Sequence, residues 1–187
     1  LLFKQDAYIC CGILNHSGKR VVLIGEHPAY QMVSYDLDGN DKQVIYSGSQ
    51  QLREPLRHVN GKDYMFTAGY VNQNALYYNF ESQSELFVAN TSVDDRLAVF
   101  SQHNNQIAYI GLSTGNEEVW FTDRQGSQLT KLTQFNDSRH IISLLWSFNG
   151  NNLLGLALNQ IYLIDSKTGD SEILKIPQVE IRGLSWK

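Results

Sequence analysis

Two series of turn-forming residues recur along this 187-residue chain with a shared period of 42 to 45 residues. The first series follows apolar runs, at intervals of 43, 44 and 45 residues: Gly18, Gly61, Asn105 and Gly150. The second keeps a nearly constant distance from the first and consists of Asp36, Asn79, Asp123 and Asp165. Asn, Asp and Gly tolerate the left-handed backbone angles that tight turns require. The chain is therefore predicted to be an array of similar units.

Each unit is predicted to contain four short strands. The residues between the turn markers are mostly β-branched, aromatic or aliphatic, as strands prefer, and no segment shows a convincing apolar stripe of helical period. In the third unit the predicted strands cover residues 96–100, 107–112, 119–122 and 128–132. In the fourth unit they cover residues 141–146, 153–158, 161–165 and 171–174.

Four strands per unit at this period are typical of the blades of a β-propeller. The strand at 153–158 is apolar at both alternating positions, as expected of a blade that packs against neighbours on both faces. A β-sandwich with accidental periodicity is the alternative. The predicted fold class is therefore all-β, a β-propeller of four-stranded antiparallel blades, with about four complete blades and partial terminal strands. In that fold Trp146 should be buried where the innermost strands meet.

The domain organisation follows from the same period. A single, incomplete propeller domain is expected over residues 1–187, with blades at approximately 5–48, 49–92, 93–136 and 137–178. Residues 179–187 are expected to start another blade, because Trp186 follows Trp146 by 40 residues.

Composition and missing motifs exclude several classes of function. Lys and Arg number 15 and Asp and Glu 19, a net charge of −4, which argues against direct contact with nucleic acid. The longest apolar runs, 21–25 and 153–158, are too short to span a bilayer, so no membrane contact is expected of this segment, although an upstream membrane anchor stays open. No P-loop, dinucleotide fingerprint, nucleophile elbow or zinc-site spacing occurs. We therefore expect no enzyme activity, no cofactor and no metal, and we expect Glu117 and Glu118 in a solvated loop.

The fourth unit carries a more specific repeat motif. Residues 146–150 read Trp-Ser-Phe-Asn-Gly, an apolar strand follows, and residues 161–165 read Ile-Tyr-Leu-Ile-Asp before a Thr168-Gly169 turn. This pattern resembles the TolB-type propeller repeat, in which Pro is usual at the position of Phe148. The resemblance is good over residues 97–187 and degenerate over 1–96. The Gly-His and Trp-Asp pairs of true WD repeats are absent, so the chain is WD-repeat-like only in period.

The resemblance implies a scaffold that occurs in three settings. TolB-like blades are found in the sensor domains of bacterial membrane-anchored winged-helix transcriptional regulators, in periplasmic binding proteins, and in caps over peptidases of the prolyl oligopeptidase type. By the first setting, the chain is predicted to be a sensor or protein-interaction domain on the periplasmic side of the inner membrane, with a cytoplasmic location as the alternative. A periplasmic protein-docking scaffold and a hydrolase cap are the alternative functions, because fold does not choose among them.

Partners of propellers usually meet the face formed by the loops between second and third strands and by the loops between blades. Tyr and Arg dominate the energetic hot spots of interfaces. A protein partner or a small signal ligand is expected on this face, and an aromatic platform for carbohydrate is a further alternative. The candidate binding residues are Glu26, His27, Tyr30, Arg53, Tyr70, Arg139 and His140.

Overall fold

The computed structural model describes residues 9–15, 17–25, 30–57, 63–69, 72–79, 82–89, 91–112, 115–157 and 160–175. Within these residues the chain forms sixteen strands and no helix. The strands make four sheets of four strands each, which we call blades 1 to 4 in chain order.

Every blade is an antiparallel meander in which strands pair in chain order. Blade 1 contains β1 (Ile9–Leu14), β2 (Arg20–Gly25), β3 (Tyr30–Asp36) and β4 (Gln43–Gly48). Blade 2 contains β5 (Leu52–Arg57), β6 (Asp63–Ala68), β7 (Asn74–Asn79) and β8 (Ser84–Phe87). Blade 3 contains β9 (Asp95–Phe100), β10 (Ile107–Gly111), β11 (Glu118–Thr122) and β12 (Thr130–Lys131). Blade 4 contains β13 (Ile141–Trp146), β14 (Asn152–Ala157), β15 (Gln160–Asp165) and β16 (Ser171–Leu174).

The predicted all-β fold of four-stranded antiparallel blades is confirmed. The strands of blade 4 agree with the prediction to within one residue at each end. The last strand of blade 3 is shorter than predicted, because the N–H groups of Leu132 and Thr133 both donate to the carbonyl of Val119 and end the ladder there. Residues 1–8 and 176–187 lie outside the described residues, and so does the predicted start of another blade at 179–187.

The second turn series marks the hairpin between the third and fourth strands of every blade. At each marker a side-chain oxygen accepts a hydrogen bond from a backbone N–H inside the turn. These bonds run from Asn40, Ser82, Ser127 and Lys167 to Asp36, Asn79, Asp123 and Asp165, at 2.6, 2.8, 2.9 and 2.8 Å. Only a short side chain with an acceptor oxygen closes the turn in this way, which explains why Asp or Asn recurs there.

The first turn series marks the hairpin between the first and second strands. The backbone φ is 67° at Gly18, 59° at Asn105 and 69° at Gly150, and Gly61 lies outside the described residues. These angles belong to the left-handed region, which glycine adopts freely and Asn at little cost. Both series therefore mark equivalent places in successive sheets.

The core lies between the blades. One apolar cluster joins blades 1 and 2, a second joins blades 2 and 3, and a third joins blades 3 and 4. The first strands of successive blades also contact one another, β1 with β5, β5 with β9, and β9 with β13. Sheets stacked in sequence around their first strands form a propeller and not the alternative two-sheet sandwich.

Trp146 is buried at the seam between blades 3 and 4, as predicted. Its side chain is 7% exposed, and its ring stacks on Phe121 with 5.2 Å between ring centroids. The indole N–H donates to the carbonyl of Val99 on β9 at 3.0 Å. The first strands of two blades therefore meet at this tryptophan.

Candidate functional site

A cavity of about 250 Å³ opens where the first strands of blades 2, 3 and 4 begin. Among the described residues, six line this cavity, which we call the mouth: Arg53, Thr67, Gln73, Arg96, His140 and Ile142. The loops between second and third strands and the loops between blades lie at the same end of the molecule. The mouth is therefore on the face where partner binding is predicted.

The first strands are irregular at the mouth. In every blade, the pairing of the first strand with the second contains a register shift. On β9 the shift coincides with Leu97, whose φ is 54°. A left-handed backbone is rare for a bulky residue and costs roughly 1–2 kcal/mol. Such irregularities redirect side chains and are common beside functional sites. The strained backbone next to Arg96 therefore favours a functional site at this end of the propeller.

A carboxylate ties the walls of the mouth together. Glu117, which precedes β11, accepts hydrogen bonds from Arg96 Nη2 at 2.7 Å and from the N–H of Ile141 at 2.6 Å. The side chains of Arg96 and Glu117 are each 14% exposed. Burial opposes ionisation of Glu117, but the hydrogen bonds from Arg96, Ile141 and His140 and the charge of Arg96 lower its pKa overall. Glu117 is therefore an anion that joins blade 3 to the first strand of blade 4.

His140 Nδ1 has two competing partners. It lies 2.7 Å from Glu117 Oε1 and 3.1 Å from Arg96 Nη2. A guanidinium can only donate and a carboxylate can only accept, so Nδ1 bonds to Glu117 when it carries a proton and to Arg96 when it does not. Either bond holds the imidazole at the edge of the mouth.

The blade 2 side of the mouth is fixed by a loop contact. The N–H of Gln73 donates to Asp94 Oδ1 at 2.8 Å, and the N–H of Asp95 donates to the carbonyl of Gln73 at 2.7 Å. Thr67, near the end of β6, is 2% exposed. The backbone of Gln73 is therefore fixed against the loop that leads into β9.

A search of solved structures finds the same arrangement of blades. TolB from Acinetobacter baumannii superposes with a TM-score of 0.74 at 18% identity, over 92% of this chain and 45% of its own. The fold is that of a TolB-like β-propeller.

Two further structures with this fold belong to proteins of different kinds. An oligogalacturonate lyase in complex with manganese gives a TM-score of 0.70 at 9% identity, over 92% of this chain and 54% of its own. A chain of a nidogen/laminin complex gives 0.68 at 13% identity, over 90% of this chain and 65% of its own. Likeness at these identities shows the fold alone, and the chain spans only about half to two thirds of these proteins. No protein-family model matches the sequence, and no curated protein is similar to it.

Two of the seven candidate residues line the mouth of this TolB-like propeller, Arg53 and His140. Tyr30 begins β3 and packs against the apolar cluster between blades 1 and 2. Three candidates lie outside the described residues: Glu26, His27 and Tyr70. A role in binding stays a prediction for all seven.

Arg139 has a packing role in the TolB-like fold. Its Cζ lies 3.8 Å from the ring centroid of Phe135 and 4.3 Å from that of Tyr162, a cation–π arrangement on two rings. Its Nε and Nη2 donate to the carboxylate of Asp137 at 2.5 and 2.7 Å. The side chain is 14% exposed, so Arg139 holds the loop between blades 3 and 4 against β15.

Sequence reasoning missed four residues of the mouth: Thr67, Gln73, Arg96 and Ile142. The repeat offered a signal for Arg96, because 43 residues separate Arg53 from Arg96 and Arg96 from Arg139. No such signal marks Ile142, since an isoleucine in a strand is expected to be buried, whereas this one is 48% exposed. Thr67 and Gln73 are polar residues at ordinary strand and loop positions.

Glu117 and Glu118 do not lie in a solvated loop, so that prediction is wrong. Glu118 begins β11, is 2% exposed, and accepts hydrogen bonds from Thr133 Oγ1 at 2.6 Å and from the N–H of Phe135 at 2.9 Å. Burying a carboxylate is costly unless several donors satisfy it. Glu118 is therefore buried inside the propeller, and Glu117 is a mostly buried residue at its mouth end.

Among the described residues of this TolB-like propeller, no group of three His, Cys, Asp or Glu side chains is placed to hold a metal ion. The same residues include no helix with the length and apolar character to cross a membrane. His103 is exposed in the hairpin between β9 and β10, and His16 and His58 lie outside the described residues.

Proposed function

We propose that this TolB-like propeller is a non-catalytic protein-interaction domain whose partner docks over the mouth. The wall of the mouth carries the proposal. Guanidinium donors on two blades, Arg53 and Arg96, stand beside Ile142 of a third blade, whose side chain is half exposed. Arginine donors around exposed apolar surface are typical of the residues that dominate binding energy in protein interfaces.

The state of Glu117 favours binding over acid–base chemistry. A general acid must hold a proton near the working pH, and the hydrogen bonds that lower the pKa of Glu117 oppose this. Its oxygens are already occupied by Arg96, His140 and the N–H of Ile141. The fold itself is neutral on this question, because an oligogalacturonate lyase shares it.

Within this class, we place the chain as the extracytoplasmic sensor of a bacterial membrane-anchored winged-helix regulator, on the periplasmic side of the inner membrane. The support is the TolB-type repeat motif at residues 146–150 and 161–165. A periplasmic docking scaffold is the second candidate, favoured by the fold shared with TolB and with a chain of a nidogen/laminin complex.

The protein sequence encoded before and after this segment in the full gene distinguishes these candidates. A regulator requires a winged-helix segment and one membrane helix upstream of the propeller. A periplasmic scaffold requires a cleavable signal peptide and no membrane helix. An adjoining α/β domain with a Gly-x-Ser-x-Gly segment would instead make the propeller a hydrolase cap and contradict both.

Docking over the mouth is tested by site-specific photo-crosslinking of the full-length protein in its native host. A photoreactive residue replaces Ile142 at the mouth, and in the matched control it replaces Phe148, which is 77% exposed just beyond the other end of β13. We expect a crosslinked protein partner from position 142 and none from position 148. Equal yields from both positions, or a higher yield from 148, would contradict docking at this end.

A further inference from the structure

We infer that the mouth binds a carboxylate group, supplied either by a small free acid or by an acidic side chain or chain terminus of the partner. This inference deepens the proposed function, because it names the chemical group that the docked partner presents. It depends on the donors, charge and size of the mouth.

The donors are present and already oriented. Arg96 makes its hydrogen bonds through Nη2 alone, so within the described residues its Nε and Nη1 have no protein partner. Glu117 Oε1 accepts from Nη2 at 2.7 Å and holds that end of the guanidinium. A guanidinium presents its N–H groups as a rigid fork that matches the two oxygens of a carboxylate. Arg96 is therefore a preorganised hydrogen-bond donor for an anion at the wall of a cavity.

The charge of the lining also selects an anion. Among the described residues that line the mouth, Arg53 and Arg96 carry a permanent charge and none is a carboxylate. Glu117, which is not part of the lining, pairs with Arg96 through Nη2. A ligand that enters the cavity therefore meets guanidinium groups and no carboxylate among the described lining residues.

The size of the cavity limits what enters it. A volume of about 250 Å³ is below the roughly 300–1,000 Å³ of sites for drug-sized ligands. It suits a small dicarboxylic acid or one Asp or Glu side chain and not an oligosaccharide. The amide of Gln73 and the hydroxyl of Thr67 supply the remaining polar contacts.

The backbone at Leu97 is independent support. Its positive φ of 54° places strain directly beside Arg96, and such strain is often stored where side chains must be aimed. Arg53 lies next to a comparable register shift on β5. Irregular backbone therefore follows directly after both arginines of the mouth.

The first experiment is calorimetric titration of the folded propeller with succinate, and with succinamide as the neutral isostere. We expect succinate to bind and succinamide not to bind. Arg53→Gln and Arg96→Lys should each weaken succinate binding by about tenfold or more, since charged hydrogen bonds are lost and the lysine lacks the fork. Arg20→Gln is the matched control, because Arg20 pairs with Asp41 on blade 1 outside the mouth.

The second experiment separates the two sources of the carboxylate. A blocked peptide with one central Glu among Gly residues is titrated beside its Gln counterpart. Tighter binding of the Glu peptide than of succinate identifies a partner side chain, and the reverse identifies a small free acid. Either result supports the inference when Arg53→Gln and Arg96→Lys weaken the binding of that ligand by about tenfold or more.

Several outcomes would overturn the inference. It fails if succinate and succinamide bind alike, if neither succinate nor the Glu peptide binds, or if both arginine variants bind like the Arg20→Gln control. Thermal melting of each variant shows that the fold is kept. A crosslinked partner at position 142 without carboxylate binding would leave the proposed function in place and refute only this inference.

Discussion

The seams on the two sides of blade 3 each contain an arginine paired with a carboxylate, but the two pairs differ in surroundings. At the seam with blade 2, Asp63 is 1% exposed and accepts hydrogen bonds from Tyr77 Oη, from Asn79 Nδ2 at 2.7 Å and from Arg124 Nη2 at 3.1 Å. Arg124 comes from the hairpin between β11 and β12, and its Cζ lies 5.5 Å from the ring centroids of Tyr77 and Phe100.

At the seam with blade 4 the pair is open on one side. Glu117 holds Arg96 through a single nitrogen, and the rest of the guanidinium faces the mouth. His140, which shares the carboxylate, has a side chain that is 63% exposed. The pair therefore borders a cavity, whereas at the other seam the carboxylate of Asp63 is buried and the guanidinium of Arg124, whose side chain is 31% exposed, lies near two aromatic rings.

The comparison shows that an arginine–carboxylate pair occurs at both ends of the propeller but in different surroundings. Asp63 and Arg124 lie at the end with the hairpins between third and fourth strands, where a buried carboxylate that accepts three hydrogen bonds joins two blades. Arg96 and Glu117 lie at the end where first strands begin, where the guanidinium lines the mouth. Variants at each seam should therefore divide into effects on stability and effects on binding.

The largest expected effect is the loss of the apolar contact at the blade 4 seam. Trp146→Ala should lower the free energy of unfolding by about 3–5 kcal/mol, because it leaves a cavity beside Phe121 and an unpaired carbonyl at Val99. Urea denaturation followed by circular dichroism measures it. Phe148→Ala is the control, since that side chain is 77% exposed and a surface change costs about 0.5 kcal/mol or less. Equal losses would mean that Trp146 does not hold the seam.

Loss of the Asp63–Arg124 pair should have the next largest effect on stability. Arg124→Leu should destabilise the fold by about 2–3 kcal/mol, because the buried Asp63 loses its cation while Tyr77 and Asn79 still donate to it. Asp63→Asn combined with Arg124→Leu should cost less than the two single losses added together, as coupled partners do. Additive losses would show that the two side chains do not interact across the seam.

Loss of the Arg96–Glu117 pair should lower the free energy of unfolding by less, and by an amount that depends on pH. Glu117→Gln is expected to lose about 1–2 kcal/mol at pH 7, since charged hydrogen bonds to Arg96 and Ile141 are weakened. The pKa of Glu117 is lowered in the folded state, so its stabilisation is complete above the unfolded value of about 4.3. It is lost as the pH falls through the lower folded value.

Unfolding of both proteins at pH 7 and near pH 3 measures this dependence. The difference in stability between the wild type and Glu117→Gln should be largest at pH 7 and should become smaller as the pH falls. Glu172→Gln on exposed β16 is the control and should track the wild type throughout. A difference that does not change with pH would mean that the charge of Glu117 contributes nothing.

Turn chemistry is local, and for that reason the blades could be predicted from sequence. Asp165 closes its hairpin with donors only two and three residues away, Lys167 and Thr168. Glycine or asparagine with positive φ likewise marks the other hairpin without distant partners. A motif whose partners lie within the same turn is visible in a single sequence.

The mouth depends on contacts between distant segments and could be predicted only in part. Arg53 was found because the sequence placed it in a loop of the binding face, although it is the second residue of β5, and Arg96 is the second residue of β9. Glu117, however, meets Arg96 and His140 across 21 and 23 residues. Nothing local distinguishes a glutamate that crosses a seam from one in a solvated loop, so its burial was missed.

The smallest expected effect concerns Arg139, the third arginine of the 43-residue series. Because its guanidinium packs on the rings of Phe135 and Tyr162, Arg139→Ala should destabilise the fold by about 1 kcal/mol. Succinate affinity should stay unchanged, since Arg139 does not line the mouth. Arg139→Lys should recover part of the stability because it keeps a cation near the rings. If Arg139→Ala instead lost succinate binding and kept the free energy of unfolding, Arg139 would be a binding residue like Arg53 and Arg96. The distinction between packing and binding arginines would then be wrong.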